Sequence, residues 1–154
     1  IAALLGLGRR NHFDAQLPMA LESLAQPGLD DFYRFDLSRT GAGPLQLSLH
    51  RLITGVVGDL RASQEPSLIS AKFHNTLAEA LLTLARLARE STRLETVALS
   101  GGVFCNRFLT DRLILRLQQE SFTVLWNREV PSNDGGIALG QAAIAACLVS
   151  QTAD

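Results

Sequence analysis

A pair of glycines between an apolar strand and an amphipathic helix constrains this chain more than any other feature. The segment 95–99, Glu-Thr-Val-Ala-Leu, has the length and β-branched content of a buried strand, and it ends at Ser100-Gly101-Gly102. Beyond Asn106, apolar residues recur at helical spacing, namely Phe108, Leu109, Leu113, Ile114 and Leu117. The sequence therefore predicts a strand, a glycine turn and a helix in direct succession, a unit of α/β proteins.

Two interpretations of this glycine turn are open from the residues alone. A turn without Cβ atoms lets backbone amides approach a ligand, and the N-terminus of the following helix offers unpaired N–H groups with partial positive charge. These properties favour an anionic or nucleotide ligand. The alternative is that the glycines only make a tight strand-to-helix turn, with Asn106 as the N-cap of the helix.

A second strand and a second glycine loop follow the first helix. The run 122–126, Phe-Thr-Val-Leu-Trp, predicts the strand, and a polar loop leads from it into an alanine-rich helix, Ile137 to Val149. Gly140 inside that helix predicts close packing against a neighbouring element. Two successive strand–loop–helix units predict parallel strands with a right-handed crossover. Both loops then leave one edge of a sheet, so we expect 101–106 and 131–136 to face one ligand cleft.

Asp134 is the most informative residue of the second loop, because it lies beside two glycines at the predicted start of the last helix. A carboxylate in a ligand cleft could bind a divalent cation or the hydroxyls of a ribose. It could equally cap the helix that begins at Ile137 and favour the helix dipole, and Asn133 could also be the cap. The sequence leaves these roles open.

The first two thirds of the chain predict a strand and helices that support the later strands. Alternating aromatic residues indicate a half-exposed strand at 30–37, and apolar stripes indicate two long helices, over 49–60 and 73–88, with Pro66 near the start of the second. We expect both helices to bury their apolar faces on the sheet of the later strands. His74, in the second helix, is interpreted as a hydrogen-bonded structural residue rather than a ligand.

Composition excludes several classes of function. The chain has 154 residues with 47% hydrophobic and 19% charged content, so it can bury a core and we expect one compact domain or lobe. The formal net charge of −1 provides no basic field for nucleic acid. Cys105 and Cys147 have neither metal-ligand spacing nor a disulfide framework, which favours a reducing cytoplasm. No uncharged apolar run approaches about 18 residues, so we predict no membrane partner.

Two linked motifs carry a family resemblance. The run 99–107 reads Leu-Ser-Gly-Gly-Val-Phe-Cys-Asn-Arg, and the run 131–142 reads Pro-Ser-Asn-Asp-Gly-Gly-Ile-Ala-Leu-Gly-Gln-Ala. Together they resemble the C-terminal end of the HypF family of hydrogenase-maturation carbamoyltransferases. The resemblance extends to Phe-His-Asn-Thr-Leu-Ala at 73–78 and to the apolar segment 2–7, so it touches nearly the whole chain. More distant relatives are the Kae1/TsaD-type threonylcarbamoyl transferases.

The resemblance implies a fold and a reaction. The fold is an actin-like, ribonuclease-H-like lobe of the ASKHA type, with a mixed sheet whose C-terminal strands are parallel and flanked by helices. The chain would be a single fragment, the C-terminal lobe of a Kae1-like transfer domain, with 1–44 as a connecting segment and 45–154 as a helical pair plus a βαβα nucleotide-binding unit. In the family, carbamoyl-adenylate is made from carbamoyl phosphate and ATP, and the carbamoyl group passes to the C-terminal cysteine thiol of the acceptor HypE.

The resemblance also implies site residues and partners. The residues expected to hold ATP or carbamoyl-adenylate are Ser100, Gly101, Gly102, Asn106, Gly135 and Asp14. Asp14 takes the place of a family Glu that resembles the ribose-binding acid of the threonylcarbamoyl transferases. Asp134 would be a ligand of a divalent metal, namely iron, zinc or magnesium, whose other ligands are histidines of the family's first lobe. That lobe and the adenylate-forming module of the same parent chain would be partners. No catalytic residue is assigned to this segment, and we expect it to be inactive alone.

Two functions of other classes stay open. The chain could be a non-catalytic nucleotide-binding or docking lobe, in which the glycine turns only build the fold. It could also be half of an ASKHA-type small-molecule kinase. Phosphoryl transfer from ATP to a small hydroxyl substrate would favour the kinase. Release of AMP and pyrophosphate in the presence of carbamoyl phosphate would favour the carbamoyltransferase.

Overall fold

A computed structural model describes residues 1–39, 41 and 43–151 as helices packed around two small sheets. The elements are α1 (Gln16–Leu24), β1 (Asp36–Arg39), β2 (Leu45–Ser48), α2 (His50–Arg61), α3 (Pro66–Thr92), β3 (Thr96–Leu99), α4 (Arg107–Gln119), β4 (Thr123–Trp126) and α5 (Ile137–Gln151). Short 3₁₀ turns, Gly102–Cys105 and Asp134–Gly136, precede α4 and α5. Over these residues, none of the helices combines the length and the apolarity that a membrane crossing requires.

The two C-terminal strands form the parallel pair that the sequence predicts. β3 and β4 run in register from Thr96 opposite Thr123 to Leu99 opposite Trp126. α4 connects them and packs against α3 over a core that consists of Ala78, Leu82, Leu99, Leu109, Leu113, Leu117, Phe122 and Val124. Because the strands are parallel, both glycine loops begin at the same end of the pair.

The two predicted long helices are confirmed, and Pro66 occupies the first turn of α3, where its missing N–H costs nothing. α3 lies against the parallel strands as expected. The buried residues of α2, Leu52 and Val56, instead form a second core with Tyr33 and with Ile69 of α3. α2 therefore supports α3 rather than the sheet.

The expectation of one mixed sheet is wrong for the part of the chain that the structure describes. Its four strands form two separate two-stranded sheets, the parallel pair and an antiparallel pair of β1 with β2. The described residues are thus α/β with a small parallel and a small antiparallel sheet. The mixed sheet is what the family resemblance implies, and the sequence motifs that carry this resemblance do not say which strands are neighbours within this segment.

Of the strand predicted over 30–37, only the last two residues lie in the observed strand β1. The preceding backbone is bonded by polar side chains of α3 instead of by a neighbouring strand. Asn75 donates from Nδ2 to the carbonyls of Leu29 and Asp31, at 2.7 and 3.0 Å, and the Tyr33 N–H donates to a threonine hydroxyl of α3 at 2.9 Å. These contacts satisfy the backbone without a strand partner.

Close packing at Gly140 is not found among the described residues. An added Cβ at Gly140 would have no neighbour within 4 Å outside the nearby backbone of its own helix. Large apolar side chains of α5 are more than half exposed, among them Ile137, Leu139, Ile144 and Leu148. The apolar residues are distributed around the helix rather than along one stripe, so no single face of α5 is directed to the core.

Substitution of Gly55 tests the packing of the second core. An added Cβ would lie 2.5 Å from Cδ1 of Tyr33, whose ring is fixed by its hydroxyl donating to Asp59 at 2.8 Å and by Lys72 at 4.5 Å from the ring centroid. We expect Gly55→Ala to lower the free energy of unfolding by about 1–3 kcal/mol, the usual cost of overpacking. The matched change Gly58→Ala meets no atom within 4 Å and should leave stability unchanged or raise it by up to about 1 kcal/mol. Urea unfolding measures both, and equal effects would contradict this packing.

Candidate functional site

The two glycine loops meet at one cleft, at the C-terminal ends of β3 and β4. The cleft has a volume of about 290 Å³. The residues that line it are Ser100, Gly101, Asn127, Pro131, Ser132, Asn133, Asp134, Gly136 and Ile137. The parallel pairing therefore brings both loops together, as expected from their order in the chain.

A backbone hydrogen bond joins the two loops across the cleft. The Gly101 N–H donates to the carbonyl of Ser132 at 2.8 Å. Gly101 has φ 108° and ψ 160°, a conformation that is essentially restricted to glycine. A Cβ at Gly101 would meet nothing within 4 Å, so the backbone conformation, and not lack of space, requires glycine here.

The second loop is tightly closed on itself. Asn133 accepts the Gly135 N–H with Oδ1 at 3.1 Å, and an added Cβ on Gly136 would lie 2.7 Å from the carbonyl oxygen of Pro131. The interpretation of Asn133 as a capping residue is confirmed. α5 begins directly after this turn, so its N-terminus lies at the wall of the cleft.

The N-terminus of α4 is closed by the protein itself, contrary to the expectation that it offers unpaired N–H groups. Asn106 caps the helix by accepting the Leu109 N–H with Oδ1 at 2.9 Å. Glu22 of α1 reaches across and accepts the N–H groups of Arg107 and Phe108 with Oε1, at 2.7 and 3.3 Å. The N-cap interpretation of Asn106 is therefore confirmed, and these N–H groups of α4 are bonded within the chain.

The structure places only some of the predicted site residues at the cleft. Ser100, Gly101 and Asp134 line the cleft, whereas Gly102 and Gly135 belong to the same two loops without being lining residues. Asn106 ends the first loop and its oxygen is used in the cap. Asp14 is exposed just before α1 and does not line the cleft. The nucleotide contacts predicted for these residues stay predictions.

The described residues do not make a metal site by themselves. Asp134 is the acidic residue among those that line the cleft, but no group of three His, Cys, Asp or Glu side chains suited to a metal ion lies in the described part of the chain. A divalent cation needs about four to eight ligands, so one carboxylate cannot hold it. The residues present therefore do not fit a complete metal centre.

A positively charged side chain, that of Arg128, lies near the start of the second loop. The Arg128 guanidinium lies 4.3 Å from the ring centroid of Trp126, the last residue of β4, and Asn127 between them lines the cleft. Stacking on the indole restricts the arginine to this side of the loop. Arg128 thus follows Asn127 directly in the chain, and the cleft that Asn127 lines also contains the carboxylate of Asp134.

The sequence analysis assigned no site role to Glu22 or Asn127, and it included Ser132 only as part of the loop 131–136. Asn127 directly follows β4, and that position could have indicated it. Glu22 caps a helix that begins 85 residues later in the chain, and no local pattern signals such a contact. His74 is confirmed as a buried, hydrogen-bonded residue.

A pair of alanine substitutions tests the backbone requirement at the first loop. We expect Gly101→Ala to lower the free energy of unfolding by about 1–3 kcal/mol, because alanine is strained at this φ and ψ. Gly102→Ala is the matched control: its Cβ would lie 3.7 Å from Cβ of Asn133, an ordinary contact, and should cost less than about 1 kcal/mol. Denaturant unfolding compares the two. A Gly101 variant as stable as the wild type would contradict the conformation described.

The chain is similar to a family of known proteins. The chain matches the family model described as "Carbamoyltransferase, Kae1-like Domain, second subdomain" over residues 1–141. It is 35% identical over 142 residues to carbamoyltransferase HypF of Synechocystis sp., covering 92% of this chain and 18% of that protein. It is 34% identical over 165 residues to carbamoyltransferase HypF2 of Cupriavidus necator, covering 94% of this chain and 20% of that protein.

Two solved structures have the same fold. Full-length HypF in a phosphate- and nucleotide-bound form superposes with a TM-score of 0.86 at 38% identity, covering 96% of this chain and 19% of that one. HypF of T. kodakarensis superposes with a TM-score of 0.74 at 28% identity, covering 97% of this chain and 19% of that one. The chain thus spans about a fifth of the length of each of these four proteins.

Proposed function

Because this chain belongs to the carbamoyltransferase HypF family, as the second subdomain of its Kae1-like domain, we propose that it holds an adenylate during carbamoyl transfer in hydrogenase maturation. The chain spans about a fifth of its relatives, so the complete reaction belongs to a longer parent polypeptide. The observation that carries the proposal is the single cleft between two glycine loops, at the end of a parallel strand pair where α/β proteins bind ligands.

The proposed reaction makes clear what the cleft must do. The parent forms carbamoyl-adenylate from carbamoyl phosphate, ATP and one water, with release of phosphate and pyrophosphate. The cysteine thiolate of a HypE-type acceptor then attacks the carbamoyl carbon. A carbon–sulfur bond forms, the bond between that carbon and the phosphate oxygen breaks, and AMP leaves with the electron pair. The site must hold the nucleotide in line with the thiolate and stabilise charge on the leaving phosphate. This chain need not supply the nucleophile.

The cleft offers groups suited to an adenylate. The Ser100 hydroxyl and the Asn127 amide can donate hydrogen bonds to phosphate or ribose oxygens, and the N-terminus of α5, a helix of 15 residues, favours negative charge. Arg128, which stacks on Trp126 and follows the lining residue Asn127 in the chain, is proposed to add positive charge. The nucleotide-bound form of the structural neighbour supports the choice of a nucleotide as ligand.

Two acidic residues have separate proposed roles. Asp134 is proposed to contact either ribose hydroxyls or a divalent cation, namely iron, zinc or magnesium, whose other ligands come from the first lobe of the parent. The residues of this chain do not complete such a metal site. Asp14 is proposed as the ribose-binding acid, which requires the nucleotide to reach beyond the residues that line the cleft.

The proposed partners follow from the same assignment. They are a HypE-type acceptor protein, and the first lobe and adenylate-forming module of the same parent chain. The proposed compartment is the cytoplasm, on the argument that the two cysteines of the sequence form no disulfide framework.

Substitution of Asp134 in the parent polypeptide tests the proposal. We expect Asp134→Ala to slow carbamoyl transfer by about tenfold or more, equivalent to about 1.4 kcal/mol of activation free energy, because the ribose hydroxyls or the cation lose their carboxylate partner. The matched control is Asp111→Ala, on the exposed face of α4, which should transfer at the wild-type rate. Mass spectrometry of the acceptor cysteine and release of AMP measure transfer, and release of pyrophosphate measures adenylate formation.

The other outcomes identify the alternatives. Wild-type transfer by the Asp134 variant would contradict the proposal and favour a docking lobe. ATP-dependent phosphorylation of a small hydroxyl compound, without use of carbamoyl phosphate, would favour half of a kinase.

A further inference from the structure

A buried histidine lies directly behind the first glycine loop. His74, on α3, is 2% exposed. Its Nδ1 lies 2.8 Å from the carbonyl oxygen of Ser70, and its Nε2 lies 2.9 Å from Nδ2 of Asn106. The rings of Phe73 and Phe108 have centroids 5.4 Å from that of the imidazole. Both ring nitrogens are thus engaged inside apolar surroundings.

The partners of His74 determine which nitrogen carries the proton. A carbonyl oxygen only accepts, so Nδ1 carries the hydrogen and donates to Ser70. The Oδ1 of Asn106 already accepts the Leu109 N–H at 2.9 Å, so this amide presents its NH₂ group to the imidazole. Nε2 therefore accepts that bond and carries no proton. The network requires the neutral imidazole with its hydrogen on Nδ1.

A protonated imidazole would conflict with the cap of α4. Two donors, the Nε2–H and the Asn106 NH₂, would then face each other, and rotating the amide to relieve this would remove the acceptor from the Leu109 N–H. Burial lowers the pKa of His74, and it outweighs the Ser70 carbonyl and the charge of Glu22, which both raise it. Glu22, from α1, is the charged group that acts on the imidazole.

Asn106 is in turn bonded into the glycine turn. Its N–H donates to the carbonyl of Val103 at 3.1 Å, and the Phe104 N–H donates to the carbonyl of Gly101 at 3.1 Å. The Thr110 hydroxyl donates to the carbonyl of Phe104 at 3.1 Å. The residues from Gly101 to Asn106 therefore form one hydrogen-bonded unit, and a change at Asn106 is transmitted to the wall of the cleft.

We propose that His74 is a positioning residue of the cleft: by accepting a hydrogen bond from Asn106, it holds the cap of α4 and the glycine turn in the geometry that binds the nucleotide. His74 does not line the cleft and acts only through Asn106. The nucleotide part of this inference rests on the proposed function, whereas the effect on the cap does not.

The test uses the parent polypeptide with His74→Gln, His74→Phe and the exposed control His50→Gln. Glutamine can accept from Asn106 and does not titrate, whereas phenylalanine fills space without an acceptor. Calorimetry gives the Kd for ATP, and hydrogen–deuterium exchange follows the Leu109 amide. We expect His74→Phe to raise the Kd about tenfold or more and to speed exchange by a similar factor. The glutamine variant and the control should stay within about threefold of wild type.

The pH dependence distinguishes positioning from simple packing. A histidine whose pKa is lowered on folding stays neutral in the folded protein below its ordinary pKa of about 6.5. The unfolded or opened chain binds the proton there, so the stability that the neutral form provides decreases as the pH falls from about 6.5 towards the lowered pKa. Between about pH 8 and pH 5, wild-type Leu109 exchange, corrected for intrinsic rates, should therefore accelerate more than that of His74→Gln. Titration of ATP itself affects both proteins equally, so the wild-type Kd should rise more steeply than that of the glutamine variant.

The outcomes separate this inference from the proposed function. If no protein binds ATP, the proposed function fails, and exchange at Leu109 still decides the role of His74. If ATP binds and His74→Phe matches wild type in both measurements, the inference on His74 is overturned while the proposed function stands. If the phenylalanine variant does not fold, parallel pH profiles of wild type and His74→Gln overturn the inference, and diverging profiles support it.

Discussion

The hydrogen bond from the Gly101 N–H to the Ser132 carbonyl joins two loops that lie about 30 residues apart in the chain, and the candidate cleft depends on it. It can form because β3 and β4 are parallel and in register up to Leu99 opposite Trp126, which brings both strand ends to the same place. It also requires the glycine conformation at position 101. Strand direction, register and one glycine thus combine to make a single site from two separate motifs.

α3 provides the scaffold on which this contact depends. Its 27 residues contribute to both cores, and its buried polar side chains bond the irregular backbone before β1 and the N-cap of α4. Asn75 holds the backbone around Asp31, and His74 contacts Asn106 at the end of the first glycine loop. Buried polar groups are costly unless paired, so these contacts fix the position of each segment on the helix.

The features predicted correctly from the sequence are those encoded locally. The apolar stripes, Pro66 and the glycine pairs predict α2, α3, α4 and the parallel strands, and the strand order then predicts that Ser100, Gly101 and Asp134 share a cleft. The features missed depend on contacts between distant segments. The pairing of β1 with β2 in a sheet of its own, the side-chain contacts around Tyr33 and the cap that Glu22 provides for α4 leave no periodic signal. The local pattern therefore left both anion binding and capping by Asn106 open at the N-terminus of α4, where the folded chain uses the N–H groups itself.

Ligand-induced protection of the two loops is the most direct test of the claim that they form one adenylate site. Hydrogen–deuterium exchange of the parent polypeptide, with and without saturating ATP, measures both loops in one experiment. We predict that backbone amides in 100–106 and in 131–136 become protected together, with half-maximal protection at the same ATP concentration. Protection of only one loop, or of neither while ATP binds elsewhere, would contradict the account.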